Sequence, residues 1–138
     1  MIVQGQTTSF KKELYEAIHD FDTDTFKIAL YTANATLNQN TTAYTAVDEI
    51  TGTGYTAGGQ ELLNATVNAS DGTAYISFDN ISWPTSSFTT RGALIYKSSK
   101  ANRSVAVLDF GSDKTTTSTF TITFPANTAT SAIIRSSN

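Results

Sequence analysis

Thr119-Phe120-Thr121-Ile122-Thr123-Phe124 alternates without a break between threonine and a large apolar side chain. Successive side chains of a strand point to opposite faces, so this run predicts a strand with one face in a core and the other in water, as antiparallel sheets allow. Period two recurs upstream, where Phe26, Ile28 and Leu30 alternate with Lys27, Ala29 and Tyr31. Strands are also expected over Ala74 to Ile81, Ala93 to Lys97, Val105 to Phe110 and Ala132 to Arg135, and more weakly over Leu62 to Val67. Asp71-Gly72, Gly111-Ser112-Asp113 and Pro125-Ala126-Asn127 punctuate these runs with turn-forming residues. Short strands at this spacing, with no helical pattern between them, predict a mainly β protein. The expected architecture is an antiparallel β-sandwich of jelly-roll type, with one N-terminal helix.

That helix is expected over residues 9–21. Phe10, Leu14, Ala17, Ile18 and Phe21 recur at helical spacing, Lys11, Lys12, Glu13 and Glu16 fall on the other side, and Ser9 is the expected N-cap. Residues 32–60 stand apart as a long polar excursion rich in Thr, Asn and Gly. Loops of that length in a compact domain usually serve a function, so a partner contact is sought there first. Thr45-Ala46-Val47-Asp48 offers a helix-start signature within it.

The chain has 138 residues, the size of one domain, with 15% charged residues against roughly 25% in an average soluble domain. A single domain over 1–138 is therefore expected. Its net charge of −3 and the absence of any Lys or Arg cluster argue against nucleic acid as a partner. No apolar run reaches membrane-spanning length, so no membrane partner is expected.

Enzyme chemistry finds little to work with. His19 is the only histidine and there is no cysteine, which removes His-based metal clusters and most Ser-His or Cys-His nucleophile arrangements. His19 is expected to face solvent or cap the helix. Asp20, Asp22 and Asp24 alternate like the start of a calcium loop, but Thr25 stands at the sixth position and Tyr31 at the twelfth, where Gly and Glu are required. Asp79, Asp109 and Asp113 read as structural residues at strand ends and turns. The glycines of Gly52-Thr53-Gly54-Tyr55-Thr56-Ala57-Gly58-Gly59 lack the Lys-Ser/Thr of a phosphate loop. No catalytic residue, metal site or cofactor is expected. Among the aromatic residues, Trp83 and Tyr96 are expected in the core, whereas Tyr44 and Tyr55, inside the excursion, are candidates for contact with a partner.

Thr25 to Thr32, Thr42-Ala43-Tyr44-Thr45, Gly52 to Gly59, Arg91-Gly92-Ala93-Leu94-Ile95-Tyr96, Val107-Leu108-Asp109-Phe110-Gly111 and Phe124-Pro125 together resemble small structural proteins of tailed bacteriophages. The resemblance spans nearly the whole chain, in strand and turn motifs that carry no chemical signature. It implies a capsid cement or decoration protein, made in the host cytoplasm and carried on the capsid surface of the virion. The implied partners are the major capsid protein and further copies of the chain, as a homotrimer. Phe10, Leu14, Tyr44 and Tyr55 are the expected partner-binding residues. A tail-associated or glycan-binding module is the alternative.

Overall fold

The computed structural model describes residues 1–137. The chain runs β1 (Gly5–Gln6), α1 (Thr8–Tyr15), β2 (Phe26–Tyr31), β3 (Gln60–Leu62), β4 (Thr66–Ser70), β5 (Thr73–Ser77), β6 (Ile81–Trp83), β7 (Phe88–Lys97), β8 (Arg103–Thr116), β9 (Phe120–Ile122) and β10 (Ile134–Ser137). One sheet has the order β1-β8-β7-β2-β3, a second β10-β5-β4, and a ribbon pairs β6 with β9. Every strand pairing is antiparallel. The fold is thus mainly β with antiparallel sheets and one short N-terminal helix, as period two predicts.

The five-stranded sheet is buried on both faces. Phe26, Ile28 and Leu30 of β2 meet Ile95, Val105, Trp83, Phe124 and Ile134 in the larger cluster, between this sheet and the two smaller ones. Ala29 and Tyr31 point the other way and join Leu94, Tyr96, Val107, Ile2 and Leu37 in a second cluster. Trp83 and Tyr96 lie in these cores, 1% and 3% exposed, as expected for them.

Ala35, Leu37 and Tyr44 of residues 32–60 cover the second cluster, while Ile50 and Tyr55 pack into the larger one. Ile50 N–H donates to Leu30 O, Thr32 N–H to Asp48 O, and Tyr44 N–H to Asn102 O, all between 2.9 and 3.1 Å. Single bridges add Tyr31 to Glu49, Ala43 to Arg103 and Thr53 to Ser87. The excursion is therefore strapped across the back of the sheet. At Thr45 to Asp48 it makes a turn and no helix, with Val47 N–H bonded to the Thr45 hydroxyl.

Several boundaries differ from the periodicity. Thr7, not Ser9, caps the helix; its extended backbone lets its hydroxyl accept Phe10 N–H at 3.3 Å. The helix ends at Tyr15, well short of Phe21. Ala17 adopts φ +58, and Ile18 N–H reaches back to Glu13 O. That is a left-handed helix stop, which reverses the chain and brings His19 and Phe21 back into the interior. The strand expected over Ala74 to Ile81 breaks after Ser77, where Asp79 N–H bonds Leu63 O and the chain passes from one sheet to the ribbon. Between β4 and β5, Asp71 and Gly72 both take positive φ, +51 and +79, the two-residue hairpin turn that this dipeptide favours.

Candidate functional site

Tyr44 and Tyr55 converge on one carboxylate. Their hydroxyls each donate to Glu49 at 2.6 Å, one to each oxygen, and Gly58 N–H donates to the second oxygen at 2.7 Å. Tyr55 also accepts Leu30 N–H at 2.9 Å, which ties the knot to β2. Beside it, Tyr31 donates to Thr45 O and Tyr96 to Gly58 O, both at 2.6 Å, while the Tyr44 and Tyr96 rings stack at 4.9 Å. Burial and then the Glu49 carboxylate push the Tyr44 and Tyr55 hydroxyls above the ordinary phenol range. They remain neutral donors at any physiological pH. The two tyrosines thus hold the excursion against the sheet, and their polar tips are already engaged inside the molecule. Glu49 itself was missed; a lone glutamate bracketed by two tyrosines five and six residues away was the available signal.

Phe10 is absent from the surface, whereas Tyr44 and Tyr55 are half-buried. It is fully buried, with its ring 4.9 Å from His19 and 6.0 Å from Phe21, so it cannot meet a partner. The physical reason is the early helix stop. With the helix ending at Tyr15, Phe10 and Glu13 form its buried side, and Leu14 and Tyr15 are turned out.

His19 is buried as well, contrary to the solvent-facing or capping expectation. Its Nε2 lies 2.8 Å from Glu13, whose other oxygen takes Arg103 at 2.5 Å. Facing a carboxylate, Nε2 must carry the proton. Nδ1 has no partner among the described residues, so a second proton there would be a buried N–H without an acceptor. Burial accordingly holds the His19 pKa below its usual value despite the neighbouring Glu13. Burial raises the Glu13 carboxyl, but the hydrogen bonds from His19 and Arg103 outweigh it and the net shift is downward. Lys97 closes this region by bonding Ile18 O and pairing with Asp24 at 2.8 Å.

Leu14 is the most exposed of the four expected contact residues. It borders a groove of about 450 Å³ between α1 and the β10-β5-β4 sheet, with Val67, Ala74, Ile76 and Ile134 on the opposite wall. Tyr15 continues this strip at 93% exposure, and Val67 stands 49% exposed. All five residues of β4, Thr66-Val67-Asn68-Ala69-Ser70, are exposed, and none is charged. Only one edge of β4 is paired. The groove therefore separates the helix from the outer sheet and leaves an apolar rim beside a free strand edge.

The aspartates have local duties. Asp20 accepts Asp22 N–H, Asp24 accepts Asp20 N–H, and Asp109 pairs with Arg91 at 3.2 Å. No group of three or more His, Cys, Asp or Glu side chains suited to a metal occurs among the described residues. No protein-family model, curated protein or solved structure matches the chain.

Proposed function

We propose that the chain is a structural protein of a tailed-phage virion, a cement or decoration subunit that binds the outer capsid shell and braces contacts between major capsid subunits. The observation that supports this reading is the apolar strip of Leu14, Tyr15 and Val67 beside the uncharged free edge of β4. Exposed apolar groups in contiguity are a mark of interfaces, and an exposed tyrosine is a favoured anchor in them. The resemblance in strand and turn motifs supports the phage assignment. A subunit of this kind acts by mass action: binding only the assembled lattice, it lowers the free energy of that state and raises the work needed to part the capsomers. Trimers of the chain would repeat the strip by symmetry, so that moderate contacts add up.

The test uses shells of the major capsid protein with and without the purified chain. Saturable binding to assembled shells, absence of binding to free capsid subunits and a higher temperature of shell disruption are expected. Tyr15→Ala and Val67→Lys, both at exposed positions, should weaken binding at least about tenfold while leaving the chain folded. Shells equally stable without the chain would refute the bracing role. Specific binding to host polysaccharide, lost in Tyr15→Ala, would establish the tail or glycan-binding alternative instead.

A further inference from the structure

β8 and β9 follow each other in the chain, joined only by Thr117-Ser118-Thr119, yet they do not pair. The outer edge of β8 meets β1 at Ala106 and Val107, and Gln4 Oε1 takes the Asp109 N–H. Beyond that point β8 has no strand neighbour but β7, and β9 has none but β6, among the described residues. Two free strand edges thus face each other across a groove of about 520 Å³. Phe110, Phe120 and Ile133 line it, half-buried against the core.

The fork is propped open. Ser118 O accepts Ser86 N–H at 2.7 Å, and the Ser86 hydroxyl donates to Trp83 O at 2.7 Å, which pins the connecting turn to the end of β6. Phe120 packs on Phe88 at 5.6 Å and Trp83 at 5.9 Å, which holds β9 in the opposite layer. Four Cα steps from Thr116 to Phe120 reach up to about 14 Å, and two strand spacings take about 9.6 Å, so the link permits one strand between the arms.

We infer that this fork receives one extended segment of a partner polypeptide, which pairs with β8 and β9 and closes the open side of the fold. The free edges demand backbone N–H and C=O groups at strand spacing, which only an extended, proline-free peptide supplies. Phe110 and Phe120 meet edge to face at 5.9 Å and make an apolar floor to the groove, which calls for apolar residues at alternate positions above it. Asp113 and Lys114 line the groove with opposite charges and Asp109 is already paired with Arg91, so the charge of the guest matters little. The assignment stands whether or not the partner is a capsid subunit.

The experiment titrates the isotopically labelled full chain with end-capped peptides of ~9 residues, a typical strand length. The first alternates Val and Thr around a central Lys, the second carries Glu in place of Lys, and the third has Pro at alternate positions. The Lys peptide should shift the amides of Lys114 to Thr116 and Thr119 to Thr123 and slow their hydrogen exchange by about tenfold or more. The Glu peptide should bind within about twofold of the Lys peptide, because the paired charges leave the groove without a net field. The Pro peptide should leave the spectrum unchanged. Four results would overturn the assignment: no shift with the Lys peptide at about 1 mM, equal binding by the Pro peptide, shifts confined to another surface, or cross-strand contacts showing β8 and β9 closed on each other or filled by a second copy.

Discussion

Ala17 holds φ +58 at the end of α1, a conformation that costs an L-residue about 1 kcal/mol and costs glycine little. Ala17→Gly should therefore raise the urea midpoint at unchanged slope, through a stability gain of up to about 1 kcal/mol. Gly59 is the opposite case. At φ +80, an added Cβ would fall on the Ile28 carbonyl, 1.8 Å from its oxygen. Gly59→Ala should cost more than about 3 kcal/mol in the same measurement, because backbone of β2 would have to move. His19 adds a pH dependence. Its folded pKa lies below the unfolded value, so the unfolded chain takes the proton first as pH falls. Stability should be full above about pH 6.5 and decline below it, by at most about 1.4 kcal/mol per pH unit. The lowered Glu13 pKa extends the loss to more acidic pH. Lys97 opposes protonation of His19 and Asp24 favours it, both more weakly than burial and Glu13 act. His19→Gln should flatten the slope between about pH 5 and 7 in denaturation series run across that range.

At the scale of elements, the excursion over residues 32–60 depends on Glu49. Glu49→Ala leaves two tyrosine hydroxyls and the Gly58 N–H without their acceptor, and should cost about 3 kcal/mol. Hydrogen exchange should quicken at the Ile50 and Tyr44 amides, while those of β7 and β8 change only with global stability. The strands were legible because period two is a local signal, and Phe26-Lys27-Ile28-Ala29-Leu30 and Asp71-Gly72 carry theirs within a few residues. Ala93-Leu94-Ile95-Tyr96 and Val105-Ala106-Val107-Leu108 are continuous apolar runs, the mark of strands buried on both faces, and so required a cover for the back of the sheet. The helix end was not legible, because Ala17 in a left-handed conformation has no signature in the residue type. Nor was the knot around Glu49, whose donors are fixed only once Leu30 and Gly58 are brought together.

For the whole molecule, β1 lies beside β8 and β2 beside β7, pairs some sixty to one hundred residues apart such as Gly5 with Val107 and Tyr31 with Gly92. Non-local antiparallel pairing implies slow folding, and refolding from urea should take milliseconds to seconds, far from the microseconds of helical bundles. A stopped-flow trace complete within microseconds would contradict this topology. Which strands neighbour which is a property of the assembled sheets, so no run of residues discloses it.

The cover over the back of the sheet has a practical consequence. Its hydrogen bonds to the rest of the chain are scattered, reaching Val3, Thr8, Leu30, Asn102 and Ser104 one or two at a time, whereas β7 and β8 share a ladder from Phe88 to Lys97. The cover should lift before the rest unfolds, baring Tyr31, Leu94, Tyr96 and Val107 together. Molecules in that state would stick to one another at high concentration. The storage life of a concentrated stock would then follow the lifting of this flap, and a melting temperature would be a poor guide to it.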